Sequence, residues 1–256
     1  MTRRLAWLPS LDTADTVRPR VFCLHAAGGS TAAFVRWRSR LADHAQVVPV
    51  ELPGHRNRLA EPLHHHIGPL VDDLAADLRA VADVPYVLVG TSMGALIAFE
   101  FARRIGAATP PPAHLVVASC PSPRVRRVAE AHELGDDDFL GHLRRMGATP
   151  SDVLDSPELT ELLLPAWRAD FTVVETYGYR PGPAISVPIT VVAGRHDPYL
   201  PSGDPDRWRA ETTGAFRRVD VDAGHFFFLD EHSPVLLDVI SETVAGLRSG
   251  GVLSGR

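Results

Sequence analysis

Lysine is absent from this chain of 256 residues, and all 26 of its basic residues are arginines. Schiff-base enzymes, pyridoxal-phosphate enzymes and P-loop NTPases each need the amine of a lysine, which a guanidinium cannot replace. These three enzyme classes are therefore excluded. The chain also has 31 acidic residues and a formal charge of −5 without long runs of one sign, so no basic face indicates nucleic acid as a partner.

Cysteine and long apolar runs are scarce as well. Only Cys23 and Cys120 are present, which suits a reducing compartment and provides neither a disulfide framework nor a four-cysteine zinc site. No apolar stretch approaches the ~20 residues of a membrane span, and prolines and aspartates interrupt the first residues before they reach the length of an export signal. We therefore expect a cytoplasmic monomer with one large domain, no membrane contact and two thiols that remain unbridged.

Short β-branched segments alternate with helical patterns along the chain. Several of these segments are apolar on both faces, as the strands of a parallel sheet covered by helices must be. The pattern predicts an α/β fold with a mostly parallel central sheet flanked by helices. The predicted strands cover residues 21–25, 46–51, 86–90, 115–119, 189–193 and 216–221, and the predicted helices cover residues 70–81, 93–105, 206–212 and 235–247.

About seventy residues separate the fourth and fifth predicted strands, far more than the dozen or so that a crossover helix needs. This segment carries two apolar stripes at helical spacing, within residues 139–146 and 159–174. We predict that residues 123–182 form a helical lid inserted into a core made of residues 1–122 and 183–256. The alternative is a second helical layer with no role at the site.

The strongest chemical motif is Gly-Thr-Ser-Met-Gly at residues 90–94. Gly-x-Ser-x-Gly is a weak match by itself, but here it follows an apolar predicted strand and opens a predicted helix. That setting is typical of a nucleophile elbow, a tight turn that projects a serine hydroxyl above the sheet. Ser92 is therefore the candidate nucleophile, and the N–H of Met93 at the helix start is a candidate oxyanion donor.

A serine needs a base to remove its proton, and the chain offers 12 histidines. His225 is favoured because it lies directly after the last predicted strand, where a loop can reach over the elbow. His55 and the triplet at residues 64–66 precede the serine, which is the wrong order for this arrangement. The triplet is interpreted as a solvated loop because consecutive side chains diverge, and His25 is expected to order its loop without transferring protons.

The acid that orients the base should follow a strand between the serine and the histidine. The fourth predicted strand ends without a carboxylate, so Asp197 after the fifth is favoured, with Asp204 and Asp206 as alternatives. A second oxyanion donor should come from the loop after the first strand, where small residues let the backbone approach a ligand. Ala27 is favoured there and Ala26 is its rival. The same glycines lack the Gly-x-Gly-x-x-Gly spacing of a dinucleotide site.

In this order the segments resemble those of the type II thioesterases, α/β-hydrolases that accompany polyketide and nonribosomal peptide synthases. The resemblance runs over nearly the whole chain. It rests on Phe-Cys-Leu-His-Ala-Ala-Gly-Gly-Ser at 22–30, Glu-Leu-Pro-Gly-His-Arg at 51–56, the 90–94 motif, Leu-Leu-Leu-Pro at 162–165, Arg-Ala-Asp-Phe at 168–171, Glu-Thr-Tyr at 175–177 and Gly-His-Phe-Phe at 224–227.

The resemblance implies a triad of Ser92, Asp197 and His225, with Ala27 and Met93 as oxyanion donors. It also implies a mobile lid over an acyl chamber and removal of acyl groups from the phosphopantetheine arm of acyl or peptidyl carrier proteins. No metal or cofactor is implied. The chain departs from the family at Thr91, where a histidine is usual, and at His25, where a proline is usual. Neither departure removes a catalytic group.

Two other functions remain open at this point. The same triad would serve a serine esterase or an acyltransferase with an alcohol or amine acceptor. A binding protein of the same fold that no longer catalyses a reaction is disfavoured because all three triad positions are filled. Three groups of arginines follow predicted strands and could form a basic rim for an acidic carrier protein, at residues 36–40, 56–58 and 124–127.

Overall fold

The computed structural model describes residues 5–105, 109–125, 130–201, 203–229 and 233–250. Within these residues, six strands pair side by side in the order β2-β1-β3-β4-β5-β6, and every pair is parallel. The predicted α/β class with a mostly parallel sheet is confirmed. The strands are β1 (Arg20–Leu24), β2 (Gln46–Pro49), β3 (Tyr86–Thr91), β4 (His114–Ala118), β5 (Ile189–Gly194) and β6 (Phe216–Val221).

Helices cover both faces of this sheet. They are α1 (Val35–Leu41), α2 (Ile67–Arg79), α3 (Met93–Arg104), α4 (Asp136–Met146), α5 (Ser151–Leu154), α6 (Pro157–Glu175), α7 (Asp204–Arg207) and α8 (Ser233–Gly250). Alternate strand residues enter two different cores: Phe22 packs with residues of α2 and α3, and Val21 packs with residues of α1 and α8. Burial on both faces explains why the strands read as continuous apolar runs.

Two parts of the helical prediction differ from the structure. The helix predicted at 206–212 is one turn of α7 followed by a 3-10 turn over Trp208–Glu211. Trp208 is fully buried at this junction, and its indole N–H donates to the carbonyl of Cys120 at 3.0 Å. Helix α1 was not predicted, because only Trp37 and Leu41 of its residues are buried, too few for a periodic pattern.

The long connection between β4 and β5 contains the helices α4, α5 and α6, which account for about half of its residues. Ser156 caps α6 by accepting a hydrogen bond from the N–H of Leu159 at 3.3 Å. Phe139, Leu143 and Trp167 belong to a separate small apolar cluster of this segment. At its far end the segment is fixed to the core, because the hydroxyl of Tyr177 donates to Glu100 of α3 at 2.7 Å.

The two cysteines are buried and form no disulfide. Their strands are separated as expected, since β3 lies between β1, which holds Cys23, and β4, which precedes Cys120. Among the described residues, no helix combines the length and the apolar character that crossing a membrane requires.

Candidate active site

Ser92 lies in the sharp turn between β3 and α3, with φ of 51° and ψ of −112°. A positive φ is strained for a residue with a side chain and is held only by its surroundings. The turn requires both flanking glycines. A Cβ on Gly90 would lie 2.4 Å from Cα of Ala95, and one on Gly94 would lie 2.1 Å from the carbonyl oxygen of Leu24. These contacts explain the Gly-x-Ser-x-Gly spacing.

His225 and Asp197 are brought together by the loops that follow β6 and β5. Nδ1 of His225 donates to Oδ2 of Asp197 at 2.7 Å, and both residues are buried. The other carboxylate oxygen accepts the N–H of Tyr199 at 2.8 Å, and the hydroxyl of Ser119 donates to the carbonyl of His225 at 2.5 Å. With Nδ1 protonated by this arrangement, Nε2 is left as the basic nitrogen of the ring.

The alternative acids have other partners. Oδ2 of Asp204 accepts the backbone N–H of Ser122 at 2.6 Å. Asp206 forms an exposed ion pair with Arg218 at 2.7 Å. The geometry therefore favours Asp197 as the residue that orients His225.

The alternative histidines are also engaged elsewhere. His55 forms a buried pair with Asp170, at 3.1 Å between Nε2 and Oδ2. In the triplet, the half-buried His64 pairs with Asp73 at 3.1 Å, and the next two histidines are exposed. Both sites precede α3 in the chain, and neither places a histidine after β6, where a loop reaches over the elbow.

The loop after β1 is a tight turn in which the N–H of Gly29 donates to the carbonyl of Ala26 at 2.9 Å. Gly28 adopts a φ of 70° and donates its own N–H to Oδ2 of Asp170 at 2.9 Å. The Gly28 N–H is therefore already used, and Ala27 and its rival Ala26, which both line the cavity described below, stay the candidate oxyanion donors of this loop. Met93 is the first residue of α3, where backbone N–H groups have no partner within the helix.

Two buried histidines lie beneath this loop, with rings 4.7 Å apart between centroids. Burial lowers the pKa of His25 to about 4, and the charge of His55 acts in the same direction. For His55, burial favours the neutral ring, but the charge of Asp170 and its hydrogen bond outweigh burial, so the pKa of His55 lies above its ordinary value. Nδ1 of His25 lies 2.9 Å from the carbonyl of Ala26, in line with the expected loop-ordering role.

A cavity of about 290 Å³ is lined by Ser92, His225 and the candidate oxyanion donors Ala27 and Met93. Its wall is mostly apolar, which suits an acyl chain better than a charged substrate. From the core, the wall includes Ala26, Ala27, Ser92, Met93, Leu96, Cys120, Pro121, Val125, Tyr199, Pro201, His225 and Phe226. From α4 and α6 it includes His142, Met146, Phe171, Val174 and Glu175.

The structure thus brings Ser92, His225, Ala27 and Met93 to one cavity, with Asp197 bonded to His225. Sequence reasoning did not identify Asp170 as the partner of Gly28, nor Ser119 as the support of the His225 loop. These pairs are separated by 142 and 106 residues, and a single sequence carries no signal that would pair them.

Comparisons with known proteins identify the family of the chain. A family model described as "Thioesterase domain" matches residues 19–244. The probable cadicidin biosynthesis thioesterase of Streptomyces griseus is 32% identical over 239 residues, which are 93% of this chain and 65% of that protein. Gramicidin S biosynthesis protein GrsT of Aneurinibacillus migulanus is 31% identical over 226 residues, 88% of either chain.

Among solved structures, the type II thioesterase BorB from the borrelidin biosynthetic cluster superposes with a TM-score of 0.83 and 34% identity. The match covers 94% of this chain and 97% of BorB. The family model alone spans well over half of the chain, and GrsT, of which the match covers 88%, is more than 30% identical. The chain therefore belongs to the thioesterase family.

Proposed function

We propose that the protein hydrolyses acyl thioesters held on the phosphopantetheine arm of acyl or peptidyl carrier proteins, as a cytoplasmic monomer in polyketide or nonribosomal peptide biosynthesis. Family membership supplies the reaction class, and the names of the relatives supply the pathway context. The observation that carries the mechanism is the 2.7 Å bond from His225 to Asp197 beside the cavity that Ser92 lines.

In the proposed mechanism, Oγ of Ser92 attacks the thioester carbonyl while Nε2 of His225 accepts its proton. The oxyanion accepts hydrogen bonds from the N–H groups of Ala27 and Met93. His225 then returns the proton to the departing pantetheine thiol. In the second step His225 takes a proton from water, which attacks the acyl serine. His225 then gives this proton to Oγ of Ser92 as the acid is released, which restores the enzyme. Asp197 holds the imidazole tautomer and stabilises its charged form throughout.

We further propose that residues 123–182 act as a lid over a core of residues 1–122 and 183–256. The support is that α4 and α6 supply part of the cavity wall and carry their own apolar cluster. A helical layer that packed only on the sheet would not line the cavity. The lid would open to admit the acyl chain and close to exclude water.

For the partner, the proposed basic rim is smaller than the sequence indicated. Arg58 is buried, donates to the carbonyl of Glu51 and pairs with Glu61. Arg124 is paired with Glu211 at 2.5 Å, and residues 126 and 127 lie outside the described part of the chain. The exposed arginines that remain after β1 and β2 are Arg36, Arg38, Arg56 and Arg40, the last of which lies 3.7 Å from Asp238 in an exposed ion pair. We propose that they dock an acidic carrier helix.

The proposal is tested with one acyl group presented on a carrier protein and on coenzyme A, at low and high salt. We expect a higher kcat/KM for the carrier substrate, with a preference that shrinks as salt screens the docking charges. A fluorophosphonate probe should label the native protein and the variant Ser39→Ala, whose serine is exposed on α1, but not Ser92→Ala. Equal specificity constants would reject the carrier partner, and labelling of Ser92→Ala would reject the nucleophile.

An esterase or acyltransferase would behave differently in the same assay. Adding an alcohol or amine acceptor to a thioesterase should leave the free acid as the main product. If the acyl ester or amide dominates instead, the protein is an acyltransferase. If oxygen esters react faster than matched thioesters, it is an esterase.

A further inference from the structure

Three buried side chains that do not line the cavity meet beneath the oxyanion loop. His25 follows β1, His55 follows β2, and Asp170 lies in the inserted helix α6. One ligand atom from each, two imidazole nitrogens and a carboxylate oxygen, lies within 4.8 Å of the other two. We call these three residues the His-His-Asp cluster. It gathers residues that are far apart in the sequence.

In both histidines of the cluster, Nδ1 faces a backbone carbonyl. Nδ1 of His25 lies 2.9 Å from the carbonyl of Ala26, and Nδ1 of His55 lies 3.2 Å from the carbonyl of Pro53. A carbonyl can only accept, so each Nδ1 carries the proton that it donates. A backbone carbonyl at the second ring nitrogen is the arrangement found around histidines that ligate metals, because it fixes the tautomer and the direction of the ring.

The ion pair between His55 and Asp170 accounts for two of the three residues, at 3.1 Å between Nε2 and Oδ2. It does not account for His25. Nε2 of His25 is buried and has no hydrogen-bond partner among the described residues, although the residue is only 1% exposed. An unpaired polar atom in such a place is unfavourable. A ligand that binds Nε2 of His25 would remove this cost.

We propose that the His-His-Asp cluster binds a divalent transition metal ion of the zinc class through Nε2 of His25, Nε2 of His55 and the carboxylate of Asp170. Two imidazoles and one carboxylate suit zinc and its neighbours and do not suit magnesium or calcium, which prefer oxygen ligands. The fourth position would hold water. The ion would take the place of the hydrogen bond between His55 and Asp170.

None of the three side chains lines the cavity, so the ion would not contact the substrate. The ion would join the loops after β1 and β2 to α6, and it would therefore stabilise the folded chain. The donor atoms of four-coordinate zinc lie about 3.3 Å apart. His55 and Asp170 are already 3.1 Å apart, so the ring of His25 is the one that must draw closer on binding. Hydrogen bonds at both Nδ1 atoms allow such a small movement and still set the direction of each ring.

The test uses the purified full chain after treatment with EDTA, followed by equilibrium dialysis against zinc chloride. We expect one tightly bound equivalent, a rise in Tm and, with Co²⁺ in place of zinc, the intense visible absorption of a four-coordinate ion. His25→Gln and Asp170→Asn should each abolish the bound equivalent. The matched control replaces all three residues of the triplet at 64–66 by glutamine and should keep it.

The opposite pattern overturns the site: binding that survives His25→Gln and disappears in the triplet variant is adventitious binding to that loop. Absence of a tight equivalent in the native chain overturns it as well. Circular dichroism establishes that each variant is folded. If His25→Gln fails to fold, the Co²⁺ spectrum of the native chain decides, because a six-coordinate spectrum would reject the site and a four-coordinate one would support it.

Discussion

Asp170, in the inserted helix α6, accepts a hydrogen bond from the backbone N–H of Gly28 at 2.9 Å. This bond crosses from the inserted segment to the loop that supplies the proposed oxyanion donor Ala27. The side chains of Trp167 and Phe171 lie against the same glycine, within 3.9 Å of where its Cβ would be. The position of the oxyanion loop is therefore set by α6 as well as by β1.

Asp170→Ala should lower kcat without a matching rise in KM. The variant removes the acceptor of the Gly28 N–H and leaves Ala27 less precisely oriented toward the oxyanion, so we expect a loss of about 10-fold to 100-fold in kcat. Steady-state kinetics on an acyl-carrier substrate measure the effect, and Asp137→Ala on the exposed side of α4 is the control. A change confined to Tm, with kcat unaltered, would show that the contact is only structural.

Asp197→Asn should reduce kcat by several orders of magnitude, about 10⁴-fold, because the amide no longer fixes the imidazole tautomer that leaves Nε2 basic. Asp206→Asn serves as the control, since Asp206 is paired with Arg218 at the surface. Asp204→Asn removes charge at the Ser122 N–H and should affect stability more than rate. Inactivation by Asp204→Asn together with a mild effect of Asp197→Asn would reassign the acid.

How much of this could be predicted depends on the range of the interactions. The strands were predicted because a strand that is buried on both faces consists of consecutive apolar residues, as at Tyr86–Thr91. The elbow was predicted for a similar reason, since its glycines are required by contacts with residues close to Ser92 and with β1. Family resemblance then ordered the remaining motifs.

The rest depends on long-range contacts. The sequence could not indicate that the guanidinium of Arg58 lies buried over the ring of Trp7, at 4.3 Å, or that Arg124 pairs with Glu211, 87 residues away, so the basic rim was predicted too large. The contact of His25 with His55 is also invisible locally. Each residue alone looks like an ordinary loop histidine, and only the folded chain joins them to Asp170.

Phe171→Leu should change the ratio of kcat/KM for long and short acyl chains, because the Phe171 ring forms part of the cavity wall. The matched control is Phe139→Leu, whose buried ring packs edge-on against Phe171 at 5.2 Å between centroids but does not line the cavity. Both variants should lose similar stability, about 1 kcal/mol. If the control shifts chain-length selectivity as much as Phe171→Leu does, the helices act only through stability.

Arg38 and Arg56 line one shallow cleft between the segments that follow β1 and β2. Replacing both by alanine should lower kcat/KM for the acyl-carrier substrate about 2-fold to 10-fold at low salt, since exposed charge pairs contribute little each. Acyl-CoA hydrolysis should be unchanged. Arg79→Ala, at the end of α2 on the opposite edge of the sheet, is the control. Equal losses for both substrates would place the effect in the active site and reject docking.

His114 should make the protein less stable in mild acid. Burial, assisted by the charge of Arg217, lowers the pKa of His114 to about 4, and Nε2 lies 2.9 Å from the hydroxyl of Thr190. In the unfolded chain the histidine has its ordinary pKa near ~6.5. Between pH 6.5 and 4 the unfolded chain therefore binds more protons than the folded chain, so the free energy of unfolding decreases as the pH falls from about 6.5 toward 4. Because the ring is partly exposed, we expect a contribution of about 1–2 kcal/mol.

Urea unfolding from pH 7 to 4.5 measures this effect. The free energy of unfolding should decrease less for His114→Gln than for the native chain or for His44→Gln, an exposed control. Parallel curves for all three proteins would mean that His114 is protonated as easily in the folded chain as in the unfolded one.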